Sequence, residues 1–326
     1  GEAAIEWSDE ELTVTSGRFV RTWRRTPCGL ATARIAHDER AWVDRAPNPR
    51  ECDWYIFELV TPDSRGELVD VTVEAVEAPP LTAPYVQAVL EFRYPEAETA
   101  VRYTVQAYAA ASGVRTQLSV RALRPFQTEE IPSHLLESYA ERLPLAPAGY
   151  ARLSAGYYND PQHRNHDETP ILRREVRSGA LAEGAREIYD QASVLGLQHD
   201  DSGLLLVKES NKCVNQHGID TGSFVLHEDE VRVTGLGLKA TFYGPSKPWL
   251  PHDRFRPCWA SWCVPYTGDE AEMQLALKRF DRARFDPHPE QRVYSRSNTW
   301  GTRRPGDPAR GAANETDVLK EIESCA

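Results

Sequence analysis

Side chains able to do chemistry are plentiful in this 326-residue sequence, but few stand at spacings that a reaction demands. Cys258 and Cys263 bracket four residues in PCWASWC; thiolates bind zinc, yet a tetrahedral site needs two ligands more. The other cysteines, Cys28, Cys52, Cys213 and Cys325, are irregularly spaced. A chain of this length needs no disulfide staples, so buried free thiols are expected. Asp160, His163, His166 and Asp167 are metal-ligand types, but they crowd a polar run, YYNDPQHRNHDET, that reads as a solvated loop. Lys208 to Lys212 (KESNK) reads as a charged strand edge rather than a site. Neither a metal nor a cofactor is expected from these residues.

Composition narrows the partners. With 27% charged and 40% hydrophobic residues the chain is an ordinary globular one, long enough for one large β domain or two smaller ones. Eight Trp and thirteen Tyr suit a β core, and aromatic faces also stack on the apolar faces of sugars, so carbohydrate is a candidate partner. A net charge of −11 argues against nucleic acid, whose phosphates demand a basic surface, and Arg21, Arg24 and Arg25 are too short a cluster to supply one. No run of eighteen apolar residues is present, so no membrane-spanning helix is expected. The sequence begins without Met or a signal peptide, as a processed chain would, and a secreted or periplasmic location is favoured over the cytoplasm.

The elements that must position any site are strands for most of the chain. Leu12 and Val14 share one face of a strand; after the Ser16-Gly17 turn Phe19, Arg21 and Trp23 share a face of the next, which predicts a hairpin. Strands are also predicted over Trp54 to Val60, Leu68 to Val76, Tyr85 to Tyr94, Ala100 to Ala109 and Val114 to Leu123. So many strands with no helical pattern between them indicate an antiparallel sandwich. Ser133 to Arg142 reads as a short helix, and short strands resume at Leu204 to Val207, Ser223 to Leu226, Val231 to Val233 and Ala240 to Tyr243.

The texture then changes. Asp269 to Phe285 sets Met273, Leu275, Leu277 and Phe280 among charges, with acids early and Lys278 and Arg279 late, as a helix dipole favours. Val293 to Ser295 follows as a strand, then Asn298-Thr299-Trp300-Gly301, a Gly/Pro-rich loop, and a helix capped by Asn314 with Val318, Leu319 and Ile322 on its apolar face. Strand, loop and helix in that order form the first unit of a (β/α) barrel.

The run from Arg292 to Cys325, RVYSRSNTWG…NETDVLKEIESC, resembles the entry into the catalytic barrel of glycoside hydrolase family 36, the α-galactosidase (melibiase) group. The upstream strands resemble the β-supersandwich, similar to galactose mutarotase, that precedes that barrel. The resemblance implies a β-supersandwich over residues 1–265, a linker helix over 266–290 and the start of a truncated (β/α)8 barrel over 291–326. It implies that Trp300 helps wall a galactose subsite and that the Asn298 amide bonds sugar hydroxyls. Thr299 and Gly301 depart from the Ser and the acid that many members carry there, which leaves galactose specificity open.

In that family the sandwich lends a loop to an active site, often a neighbouring subunit's, so a homo-oligomer is implied. Asp53 and Trp54 occupy the matching position, an acid for hydroxyls beside an aromatic platform, although the same pair also suits a strand start. Retaining hydrolysis needs two carboxyl groups roughly 5 Å apart. In the family both lie on later barrel strands, so no residue of this chain is expected to be catalytic. Two alternatives stand beside this reading, a carbohydrate-binding β-sandwich and a mutarotase-like epimerase using a His and Glu pair.

Overall fold

Strand-period stretches become strands here wherever their alternate residues have a core to face. The computed structural model describes residues 2–56, 59–79, 82–125, 139–147, 150, 152–158, 172–178, 184–189, 192–209, 224–234, 250–285, 319 and 323. β1 (Ala3–Trp7), β2 (Glu11–Ser16), β3 (Phe19–Arg25), β4 (Leu30–His37) and β5 (Arg40–Asp44) form a five-stranded antiparallel sheet in chain order. The expected hairpin is its centre. Leu12 pairs with Trp23 and Val14 with Arg21, all buried, and Gly17 takes the φ of +59° that the turn requires.

A second sheet runs β6 (Glu67–Val76), β7 (Tyr85–Tyr94), β8 (Thr99–Ala107) and β9 (Val114–Ala122) as a meander. Its other members are β11 (Arg152–Tyr158), β12 (Leu172–Ser178), β14 (Ala192–His199), β15 (Ser202–Lys208), β18 (Arg256–Pro257) and β19 (Ser261–Thr267). The pairing of β19 with both β9 and β15 joins the early strands to the late ones. A third, four-stranded sheet has the order β10 (Tyr139–Leu143), β17 (Val231–Thr234), β16 (Phe224–Leu226) and β13 (Glu187–Tyr189). β1 and β2 cross over β6 to β8, so the first two sheets enclose the main core.

The helix α1 (Glu270–Arg284) covers the opposite face of the large sheet. Asp269 caps it, its carboxylate accepting from the amides of Ala271 at 2.9 Å and Glu272 at 3.3 Å. The middle strands must therefore be apolar on both sides. In β15, Leu204 and Leu206 face the main core while Leu205 and Val207 face the helix; in β19, Cys263 takes the first side and Trp262, Val264 and Tyr266 the second. Phe280 is fully buried between the Trp262 and Tyr108 rings, at 5.1 and 5.9 Å. No helix among the described residues is long and apolar enough to cross a membrane.

Two expected elements differ. Among the described residues of 54–60 the pairing is limited to isolated bridges, Tyr55 to Tyr139 and Ile56 to Val60. Trp54, Ile56 and Val60 are buried and Tyr55 and Leu59 half-buried, so this aromatic run keeps the alternation of a strand but serves as a core-filling strap. The helix expected over 133–142 is replaced, from Tyr139 on, by β10. Pairing with β17 and burial of Tyr139, Ala140 and Leu143 outweigh the helix-forming residues there.

The chain divides into two compact units, residues 1–286 and 287–326, and α1 belongs to the first. Of the second unit, Leu319 and Glu323 are described, both helical and exposed. The expected strand at 293–295, the loop that follows it and the strand at 240–243 lie outside the described residues.

Docking of α1 is testable. Phe280→Ala should cost about 3–5 kcal/mol by urea unfolding, the usual loss for a buried aromatic, whereas the exposed Leu275 changed to Ala should stay within about 0.5 kcal/mol. Equal small effects would show that the helix does not pack as described.

Candidate functional site

The inward face of β3 carries a charge. Alternation that buries Phe19 and Trp23 also buries Arg21, and a lone guanidinium in that position would be prohibitively desolvated. Three elements answer it. The Asp53 carboxylate, on the strap, accepts from Arg21 Nη2 at 3.0 Å, and Glu141 on β10 makes a second ion pair with the same nitrogen. Thr32 on β4 accepts from Arg21 Nη2 at 2.8 Å, and the guanidinium lies 4.3 Å from the Trp23 ring centre.

Both acids are further satisfied. Asp53 accepts from Trp23 Nε1 at 2.8 Å, Thr32 Oγ1 at 2.6 Å and the Thr32 amide at 2.9 Å. Glu141 accepts from Tyr103 at 3.1 Å and Thr116 at 2.6 Å. Register shifts in the β3–β4 pair at Thr22/Trp23 and in β10 at Tyr139/Glu141 bring Thr32 and Glu141 to face Arg21.

Two carboxylates facing one guanidinium leave an excess negative charge in the interior. Burial pushes the Asp53 carboxyl up, Arg21 pulls it down, the Glu141 charge raises it again, and it ends at about 6. Burial likewise raises the Tyr103 hydroxyl well above its usual range, the Glu141 charge adding to it.

Beside this cluster opens a cavity of about 450 Å³, within the range of small-ligand sites. Tyr55 and Tyr139 stack in its wall at 5.7 Å and 27°, and Arg232 lies 5.2 Å from the Tyr139 ring centre. Arg142 reaches Glu51 at 3.7 Å and pairs with Glu230, which also pairs with Arg232. Arg50, Asp229 and His227 complete the polar lining. Burial pushes the Glu51 carboxyl up, but the bonds from Arg45 and the Asn48 amide, with the Arg142 charge, hold it below the usual range. Glu51 therefore stays ionised at neutral pH. A wall of alternating guanidinium and carboxylate groups with stacked rings can bind a polyhydroxylated ligand, but Glu51 cannot donate a proton in it.

The sequence-predicted residues fall as follows. Asp53 and Trp54, expected to present an acid and a platform to a sugar, both face inward. The acid is 0% exposed with its oxygens filled. The Trp54 ring packs on Tyr103 and Phe92, at 5.2 and 5.5 Å, donates to Tyr94 Oη at 2.8 Å, and is 1% exposed where it borders the cavity. Asn298 and Trp300 lie outside the described residues, as do Asp160, His163, His166, Asp167 and Ser210 to Lys212.

Glu209, from the charged run, anchors α1 instead: it accepts from Arg115 Nε at 2.6 Å and Trp262 Nε1 at 2.8 Å and pairs with Arg284 at 2.7 Å. Cys258 and Cys263 are buried thiols, each pushed up to about 12 by burial. Sequence reasoning missed Tyr55, Tyr139, Arg142 and Glu230, which only the fold assembles. The signal available was the charged HEDEVR run from His227 to Arg232.

The Asp53 titration gives a signed prediction. The folded protein holds this proton to about pH 6, whereas an unfolded aspartate releases it near 3.8. The group's contribution is complete below about pH 4 and fades as pH rises through 6. Relative to Asp53→Asn, which cannot titrate, the wild type should lose up to about 2 kcal/mol between pH 4.5 and 7. Urea midpoints at those two pH values check it, and an unchanged difference would acquit Asp53.

No family model and no curated protein matches the sequence. Solved structures do match in fold. The α-galactosidase AgaB of glycoside hydrolase family 36 from Geobacillus stearothermophilus superposes at a TM-score of 0.55 with 10% identity, over 86% of this chain and 43% of its own. A variant of AgaA from the same organism, in complex with raffinose, gives 0.53 with 11% identity over 85% of this chain and 43% of its own. The galactosidase domain of the α-galactosidase–sucrose kinase AgaSK gives 0.52 with 9% identity over 84% and 43%. This chain thus spans about 43% of the length of the structures it matches. The chain therefore shares its fold with these family 36 α-galactosidases over about 85% of its own length.

Proposed function

We propose that this chain is the front portion of a retaining glycoside hydrolase acting on α-galactoside-like glycans, its two catalytic carboxylates supplied outside residues 1–326. The observation that carries this reading is the shared fold with family 36 α-galactosidases over about 85% of the chain, against only 43% of theirs. The Asn298–Trp300 motif supports it from the sequence side. So does the chemistry of the described acids. Retaining hydrolysis requires a carboxyl that keeps its proton until the leaving oxygen arrives, opposite a nucleophilic carboxylate roughly 5 Å away. Asp53 is the acid held up near 6, and it is enclosed by its donors where no glycosidic oxygen can approach.

The chain's own contribution in this reading is to hold and shape. Trp300 offers an apolar face to a pyranose and Asn298 donates to and accepts from its hydroxyls. Partnership with further copies of the chain belongs to the same proposal. A second reading, a carbohydrate-binding sandwich without hydrolysis, draws on the cavity of stacked tyrosines and alternating charges beside the strap.

Residues 1–326 alone should not release aryl alcohol from an aryl α-galactoside above background, while the product of the full coding sequence should. Turnover by 1–326 that survives repurification and disappears on replacing one of its own acids would sink the assignment.

In the active protein Trp300→Ala should weaken galactose inhibition by roughly tenfold, as loss of about 1 kcal/mol of stacking implies, with Tm nearly unchanged. A large fall in Tm with unaltered galactose affinity would make Trp300 a core residue and remove it from the site.

A further inference from the structure

Cys28 and Cys52, expected from the sequence as plain buried thiols, are neighbours that both line the cavity. Cys28 lies in the turn joining β3 to β4, where Thr26 and Gly29 exchange backbone hydrogen bonds of 2.8 and 3.2 Å. Cys52 lies on the strap after β5. Two bonds tie the segments on either side of the pair. Thr26 Oγ1 donates to the Glu51 carbonyl at 2.7 Å, and the Asp53 amide donates to the Leu30 carbonyl at 2.8 Å. With 26 held to 51 and 30 held to 53, residues 28 and 52 are brought opposite one another. The turn is packed closely on the strap, since a Cβ added at Gly29 would come within 2.4 Å of the Trp54 ring.

The two thiols differ in a way that sets an order of reaction. Cys52 Sγ donates to the Trp54 carbonyl at 2.8 Å and Cys28 Sγ reaches the Thr61 carbonyl at 3.3 Å, and the neighbouring Cys52 thiol holds Cys28 below its usual range even though burial opposes it. Burial raises Cys52 well above its own. The thiolate is the reactive form, so Cys28 is the attacking sulfur and Cys52 the resolving one.

We propose that Cys28 and Cys52 form a peroxide-driven disulfide that staples the strap to the β3–β4 turn along the cavity wall. Both thiols line the cavity, which admits a reagent as small as hydrogen peroxide. The Cys28 thiolate attacks one peroxide oxygen; the O–O bond breaks, hydroxide leaves and takes up a proton as water, and Cys28 becomes a sulfenic acid. The Cys52 sulfur then attacks Cys28 Sγ, its proton leaving with the displaced hydroxyl as a second water. Two thiols are oxidised, one peroxide is reduced, and a thiol reductant reverses the bond.

The test uses the whole chain with Cys213 and Cys325 changed to Ser, so that neither competes. Hydrogen peroxide should remove the mass of two hydrogens, and peptide mapping without reductant should recover Cys28 joined to Cys52. In Cys52→Ser a sulfenic-acid-trapping diketone should label position 28, while in Cys28→Ser it should leave Cys52 unlabelled. Cys258 and Cys263 should remain thiols throughout. Peroxide that leaves Cys28 and Cys52 unlinked in the otherwise intact protein would overturn the proposal, as would diketone labelling at Cys52 rather than Cys28.

Discussion

A buried arginine organises this domain. Strand alternation that sends Phe19 and Trp23 into the core must send Arg21 with them, since side chains at i and i+2 share a face. Removing a guanidinium from water costs several kcal/mol unless its charge and its fan of donors are met. Here the strap supplies Asp53, β10 supplies Glu141 and β4 supplies Thr32. Tyr103 from β8 and Thr116 from β9 then fill the Glu141 oxygens, and Thr116 passes the chain of bonds to Ser261 on β19 at 2.9 Å. One cation thereby ties all three sheets and the strap to a common point. Apolar packing supplies the bulk of the cohesion but is indifferent to register; the charge cluster is not, because a one-residue slip of β3 would turn Arg21 outward and leave two acids unpaired in the interior.

The cluster also fixes what the neighbouring cavity can be. The Arg142 amide donates to the Asp53 carbonyl at 2.6 Å, so the strand whose Glu141 points inward must point Arg142 toward Glu51 and Glu230 in the cavity wall. Core and cavity are thus the two faces of one short strand. The tyrosine pair follows from the same constraint, since Tyr55 and Tyr139 are joined by reciprocal backbone bonds of 3.2 and 3.0 Å where the strap meets β10. A wall set by backbone pairing and ion pairs is preorganised, which lowers the cost of ordering it around a ligand.

The legible part of the fold was the part governed by period-two alternation. The β2–β3 hairpin, the β6 to β9 meander and the helix α1 could be read from alternating apolar residues and their turns in the strands, and from apolar residues set in a gradient of charge in the helix. Leu30 to His37 gave no such signal: it is buried nearly throughout, so Leu, Ala, Thr and Arg succeed one another without a period. Tyr139 to Leu143 misled for the opposite reason, being built of residues that favour a helix locally and held as a strand by partners ninety residues later in the chain. The β-sandwich and its likeness to family 36 were therefore visible in the sequence. The cavity was not, because its lining comes from the strap, β10 and the turn before β17, and no local pattern records that they meet.

The electrostatics separate binding from bond cleavage. Among the described acids, Glu51 and Glu209 are held ionised by arginines, against the pull of burial, and Asp53 is held partly protonated by burial but closed off by its own donors. Ionised carboxylates locked to arginines serve as fixed acceptors; they position hydroxyls and keep walls rigid, but they have no proton to give a leaving oxygen. A general acid needs the Asp53 kind of environment with an open side, apolar enough to hold the proton and wide enough to admit the substrate. Among the described acids, the carboxyl raised by burial is the one that encloses Arg21. Among the described acids with shifted carboxyls, the raised one neutralises the core and the lowered ones are locked to arginines, so these groups serve to fix the architecture and hold acceptors in place.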